Sequence, residues 1–299
     1  MANTAVADPD SGLTQAQLAA RYGLSVAGAR PTLPAYTRQL WSYRHFITAY
    51  ANAKLVASFS TARLGRIWQV LTPLTNAAVY YLIFGVILGT EKGVDNFIAY
   101  LCVGLFVYNF TSSAVSGGVQ AVSGNLGLIR ALHFPRACLP LAVTLTQLQH
   151  LISAMVVLVG IVLVTGEPVT LEWLLVVPAV LLQSLFNAGL ALGMARLGAK
   201  ITDLKQLVPF ILRTWMYGSG VLYSVDVFTE NVDNSALVAV IHANPLLIYI
   251  ELVRHALMEN APLTSSAPQL WLLATAWTIV MAVGGYLYFW RGEQEYGRG

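Results

Sequence analysis

The sequence predicts an all-α polytopic membrane protein with six transmembrane helices, an N-terminal cytoplasmic interfacial helix and an external re-entrant helical hairpin. Three observations carry that prediction. Of 299 residues, 57% are apolar and only 10% charged, whereas soluble domains carry about a quarter charged residues. The mean hydropathy is +0.63. The few charges are clustered, leaving long uncharged stretches in which the backbone can satisfy itself in lipid only as helix. A soluble globular enzyme, a disordered chain and a secreted disulfide scaffold are thereby excluded. Cys102 and Cys138 sit in apolar runs and read as small hydrophobes. A net charge of +3, scattered along the chain, does not suit a nucleic-acid partner.

The uncharged stretches set the spans. There are 24 residues between Arg66 and Glu91, 34 between Asp95 and Arg130, and 30 between Arg136 and Glu167. A further 23 lie between Glu172 and Arg196, and 31 between Glu259 and Arg291. Crossing the hydrocarbon core takes about 20 apolar residues. Spans are therefore expected near 67–89, 97–121, 138–164, 171–195 and 268–290. A sixth, near 206–225, is apolar except for Arg213, which can snorkel to the headgroups or face a pore. Arg63, Arg66, Arg130, Arg136, Arg196, Lys200, Lys205, Arg291 and Arg298 fall on one side of these spans, and only Lys92 and Arg254 on the other. The positive-inside rule makes the first side, with both termini, cytoplasmic.

Around the spans, residues 1–35 read as a cytosolic tail without the basic start and apolar core of a signal peptide. Leu13 to Leu24 within it reads as a short capped helix ending at a glycine turn. Over 36–62, Tyr36, Leu40, Tyr43, Ile47 and Tyr50 recur at helical spacing. That amphipathic helix suits the membrane interface, with a soluble partner as the alternative. Between the second and third spans, Leu126, Ile129 and Leu132 or His133 can share a face of a short helix ended by Pro135. Such a ridge needs burial, either in a groove on another protein or among headgroups. In the external connection, Asn244-Pro245 breaks the chain, and Pro245 to Met258 is too short to cross. Two short helices on one side suggest a re-entrant hairpin beside a pathway, or else a surface cap. Glu251 and Arg254 in it read as an i,i+3 ion pair. Residues 291–299 form a second cytosolic tail.

No catalytic constellation is present in the sequence. The nearest approach to a phosphate loop, Gly193 to Lys200, has Ala199 where lysine is required and no hydroxyl after Lys200. The five histidines show no close metal-ligand pair. Small residues inside the spans, Gly189-x-x-x-Gly193 and Ser113, Gly117, Ala121, allow close helix contact within one chain or between two. Tyr80, Tyr81, Phe84, Tyr108, Phe110, Trp215 and Tyr217 are concentrated in spans one, two and five. With Arg213 they are candidate residues of a substrate path, because rings stack on sugars; an aromatic belt is the alternative.

Four segments resemble, in order, the type 2 ABC exporter permeases. Ala62-Arg-Leu-Gly-Arg-Ile-Trp-Gln-Val-Leu-Thr-Pro-Leu74 is similar to that family's entry to the first span, through Leu64, Gly65, Trp68, Pro73 and Leu74. Phe134-Pro135 resembles the end of its coupling loop, Asp203 to Phe210 the lead into its fifth span, and Asn244-Pro245-Leu246 the start of its second external gate helix. The nearest likeness is to the Wzm-type permeases that export O-antigen, teichoic acid or, in actinobacteria, lipid-linked galactan. An alanine-rich composition with arginine over lysine leans toward the actinobacterial branch.

The resemblance implies a homodimer of this chain with two copies of an ABC ATPase subunit. ATP and Mg would be bound on that partner, and no cofactor on this chain. Residues 125–134 would dock on the ATPase, through Asn125, Leu126, Leu128, Ile129, Arg130, His133 and Phe134. The interfacial helix would guide the lipid end of a polyprenyl-pyrophosphate-linked glycan to a pore. Residues 234–258 would gate its outer mouth, with Asn244, Pro245, Tyr249, Glu251 and Arg254. The alternatives are a permease of the same fold for a drug or small lipid, and a membrane-embedded enzyme acting on polyprenyl-phosphate sugars.

Overall fold

The computed structural model describes residues 31–60, 67–87, 94–225 and 235–296, with positions 14, 17–18, 21–22 and 89. Among the described residues it is helical, without strands. α1 (Leu33–Ser42) and α2 (Arg44–Ser60) precede α3 (Ile67–Tyr80), which continues as a π-helix over Tyr81–Ile87. Next come α4 (Phe97–Ala121), a 3₁₀ turn at Ser123–Asn125 and α5 (Leu126–Ala131). They are followed by α6 (Cys138–Val164), a 3₁₀ turn at Leu171–Leu175, α7 (Val176–Lys200) and α8 (Leu204–Tyr217). α9 (Ser235–His242), α10 (Pro245–Leu257) and α11 (Ala267–Arg291) complete the chain.

Among the described residues, four stretches are long and apolar enough to cross a bilayer: α4, α6, Leu171–Lys200 and α11. The α9–α10 pair, bent by 59° at its break, makes a fifth if taken as one span. The bend falls at Asn244-Pro245, where Asn244 is extended and its side chain caps the Leu246 amide. α4 is the hub, with 78% of its apolar stretch buried against 17% for α6 and α11. The outer helices thus leave most of their apolar surface for lipid.

Lipid supplies no hydrophobic drive between helices, so close approach and interhelical hydrogen bonds hold the bundle. A Cβ at Gly189 would collide with the Met281 carbonyl, and one at Gly285 with the Gly189 carbonyl. The Gly189 end of the GxxxG pattern therefore packs α7 on α11 within one chain. Gly117 similarly admits Val143 of α6. Gln183 Nε2 donates to the Val107 carbonyl and Thr111 Oγ1, both at 2.9 Å. Tyr249 Oη lies 2.7 Å from Thr278 Oγ1.

Two expected elements differ. The helix expected over 206–225 stops at Tyr217. Its 14 residues rise about 21 Å, short of a ~30 Å core. The cause is Gly218-Ser219-Gly220: Gly218 caps the helix through the Thr214 and Met216 carbonyls, and Gly220 takes φ +59°, a left-handed conformation that glycine adopts without penalty. The single amphipathic helix expected over 36–62 is two helices meeting at Tyr43. Its face of Tyr36, Leu40, Tyr43, Ile47 and Tyr50 packs on Ile129, Phe134 and the end of α11, inside the chain. Higher up, α2 runs along α6, where Gln149 Nε2 donates to Asn52 Oδ1 at 2.6 Å.

In the N-terminal segment, Thr14 and Gln17 form a reciprocal capping box through their side chains and amides. The glycine turn expected at Gly23 lies outside the described residues, as do Leu64, Gly65 and the acidic loop 226–234.

Candidate functional site

Three constellations carry the polar chemistry of the bundle. The first is a cleft of about 300 Å³ between α3, α4 and α8. Asn76, Tyr80, Tyr108, Asn109, Ser112, Ser113, Ser116 and Arg213 supply its polar lining, and Leu105, Pro209, Leu212 and Met216 its apolar part. Tyr108 Oη donates to the Leu212 carbonyl at 3.1 Å, tying α4 to α8 and fixing one wall. Arg213 is exposed and contributes to the lining of the cleft. Hydroxyls, amides and two phenol rings beside one guanidinium suit a polyhydroxyl ligand that carries an anionic group.

Of the eight expected path residues, the cleft gathers Tyr80, Tyr108 and Arg213. Tyr81 and Phe84 pack on the core, the first against Phe97, and Phe110 is buried in it. Trp215 donates its indole N–H to Asn244 Oδ1 at 2.8 Å, and Tyr217 is exposed at the end of α8. The residues that sequence reasoning missed are Asn76, Asn109, Ser112 and Ser116. A signal for three of them was present: Asn109, Ser112, Ser113 and Ser116 stand at i, i+3, i+4 and i+7, a polar stripe along a transmembrane helix.

The second constellation surrounds α10, in which every residue from Leu246 to Leu257 except His255 is buried. Its polar Glu251 and Arg254 are thus packed inside the chain with its apolar residues. Arg254 is fully buried over the Tyr100 ring, 3.2 Å from its centroid. Its Nε and Nη2 donate to the Tyr100 carbonyl at 3.2 and 3.0 Å. Nη1 donates to the Gly220 carbonyl at 2.9 Å, and Nη2 to that of Val221 at 3.2 Å. Glu251 accepts from the Thr264 hydroxyl at 2.8 Å and from its amide. The hydrogen bonds of Glu251 and Arg254 run to these separate partners, while the two charges still interact along the helix. Arg254 supplies the donors that the non-helical backbone after α8 lacks. Tyr249 donates to the Ala274 carbonyl. Asn244 donates to the Gly218 carbonyl and Ser219 Oγ, both at 2.9 Å, so the Asn244-Pro245 corner anchors the end of α8.

The third constellation lies at the opposite end, around 125–137. Asn125 accepts from Tyr50 Oη at 2.7 Å and donates to the Ala121 carbonyl at 2.8 Å. Tyr43 Oη donates to the His133 carbonyl at 3.1 Å. Ile129 and Phe134 point into the chain and are each 7% exposed, Phe134 against Phe46. Leu128 is half-buried on the same cluster. Leu126 (37% exposed), Arg130, Leu132 (50%) and His133 face outward. The expected ridge is therefore corrected: Ile129 belongs to the protein's own core, and the outward surface is Leu126, Arg130, Leu132 and His133.

Beneath this surface Glu293, 4% exposed, accepts from Tyr36 Oη at 2.8 Å and from the Arg136 amide at 3.0 Å. The Arg136 guanidinium lies 3.4 Å from the same carboxylate. Burial pushes the Glu293 carboxyl above the usual carboxylate range, against the pull of Arg136 and Tyr36. Burial beside Glu293 pushes the Tyr36 phenol up as well, which keeps it the donor. Among the described residues, no three His, Cys, Asp or Glu side chains gather as ligands for a metal ion.

Residues 47–258 match a family model described as ABC-2 type transporter. The O-antigen export system permease protein RfbA of Myxococcus xanthus is 27% identical over 70% of this chain and 79% of its own length. Its namesake in Klebsiella pneumoniae is 25% identical over 62% of this chain and 71% of its own. The polysialic acid transport protein KpsM of Escherichia coli is 24% identical over 79% of this chain and 89% of its own.

Proposed function

This chain belongs to the ABC-2 type transporter family, and from that premise we propose that it exports a polyprenyl-pyrophosphate-linked polysaccharide of the O-antigen, teichoic acid or galactan type across the bacterial plasma membrane. It is a multi-pass transport subunit, and family membership removes the membrane-enzyme alternative. The relatives' names, O-antigen and polysialic acid carriers, supply the polysaccharide class. The single observation that carries the reading is the cleft: its hydroxyl, amide and phenol lining matches sugar, and Arg213 matches a phosphate. A pathway for a drug or small lipid would want a more apolar wall.

In this reading six segments cross the membrane. The fifth crossing is α8 together with the buried backbone after it, whose carbonyls Arg254 satisfies, since irregular backbone at that depth must be buried in protein. Both termini are cytoplasmic, and α9–α10 is a re-entrant hairpin at the outer mouth. Two copies place their clefts face to face. Exposed apolar residues on the π-helix after α3 (Leu82 and Ile83) and on α8 (Phe210 and Ile211) seal the clefts against the partner copy and lipid. Two ATPase subunits, carrying ATP and Mg, dock on Leu126, Arg130 and His133, the outward-facing members of the expected set.

The test is nucleotide turnover by the reconstituted complex. Polyprenyl-pyrophosphate glycans should stimulate it and hydrophobic drugs should not. The reverse pattern would replace this substrate class with the drug and lipid class.

A further inference from the structure

The C-terminal tail does more than leave the bundle. After α11 the chain turns at Gly292, where a Cβ would stand 2.6 Å from Tyr296 Oη. Tyr296 stacks back on Phe289 with ring centroids 4.6 Å apart. This fold-back carries Glu293 beneath the outward surface of 125–137. Three segments far apart in sequence then meet on one carboxylate: α1 through Tyr36 Oη, the end of the 125–137 segment through the Arg136 amide and guanidinium, and the tail itself. Tyr36 Oη also accepts from the Ala137 amide at 3.3 Å, which closes a ring of hydrogen bonds.

Bonds in such a buried ring are strengthened by low dielectric and cannot be exchanged for water. Segments joined by it move as one body or break it. We infer that Glu293 is a positioning residue that, together with the Tyr43–His133 bond and the Phe46–Phe134 contact, carries displacement of the 125–137 segment to α1, so that the helix beside the bundle moves with the ATPase-facing surface. This rests on the proposed docking of an ATPase at that surface.

The test uses the full-length complex with its ATPase in lipid nanodiscs. One spin label is placed at Val156 on the outer face of α6 (73% exposed), and a second at either Leu132 or Trp41 (70% exposed). The native Cys102 and Cys138 are buried and so shielded from labelling. In the unsubstituted complex, ATP should shift both the 132–156 and the 41–156 distances. Tyr36→Phe removes one hydroxyl and keeps the ring; Glu293→Gln removes the charge and keeps the shape. In both variants the 132–156 shift should persist while the population showing the 41–156 shift falls by about three- to tenfold, the factor one buried hydrogen bond is worth. A merely structural role would lower melting temperature and leave both shifts in place. An undiminished 41–156 shift in both variants overturns the inference and leaves the docking reading intact. A 132–156 distance unresponsive to ATP in the unsubstituted complex overturns the docking reading, and the inference with it.

Discussion

At one end of the bundle Arg254 is buried among backbone carbonyls of Tyr100, Gly220 and Val221; at the other, Glu293 is buried among Tyr36 and Arg136. The arginine meets backbone carbonyls of the fold itself, two of them, Gly220 and Val221, on the non-helical stretch after α8. It therefore acts as a structural pin, and the backbone after α8 depends on it. The glutamate meets a side chain and an amide from segments that could part from it, so it works as a joint. A buried charge that satisfies backbone resists motion. One shared between separate segments transmits it.

That contrast can be broken in a graded series. Arg254→Met should cost about 3 kcal/mol or more, because the buried Gly220 and Val221 carbonyls lose a charged donor. Equilibrium unfolding in mixed micelles measures it, and a loss under 1 kcal/mol would demote the pin. Gly104→Ala attacks the same knot indirectly: its Cβ would stand 2.6 Å from Arg254 Nη2 and 2.9 Å from the Val221 carbonyl. A cost of about 1–3 kcal/mol is expected in the same assay.

At the joint end, Leu126→Asp should abolish co-purification of the ATPase while insertion and stability stay normal. Ile129→Asp should instead destabilise the chain, because it places a carboxylate in the core. Equal behaviour of the two would erase the division between outward and inward residues. Between the ends, Arg213→Gln should slow export roughly tenfold, the worth of one charge-assisted contact, with no change in unfolding. Glu295→Ala breaks the exposed pair with Lys200 at 2.9 Å and a weaker attraction to Arg196, and should leave melting temperature unmoved.

Much of the bundle was legible in the sequence, because charge-free length is a direct measure of bilayer thickness. α4 and α6 begin and end where the charge spacing puts them. The end of α8 was harder to read: residues 218–225 are as free of charge as a span, and only Gly218-Ser219-Gly220 betrays the turn. The partners of Arg254 are backbone carbonyls more than 30 positions away, to which no side-chain pattern points. Aromatic density gave a partial view of the cleft, since rings also fill cores, as Phe110 does. The serines and asparagines of α4 were the sharper signal, because a polar stripe in lipid has few other uses. Ile129 misled because a helical face of apolar residues looks the same whether it is covered by the same chain or by another.

The claim at the centre is that the cleft conducts substrate. Ser116→Cys places a thiol in its wall, with the native cysteines shielded. In intact cells a charged, water-soluble methanethiosulfonate reagent should label that position and stop the appearance of new surface polysaccharide. Full labelling with undiminished export would show that the polymer takes another route.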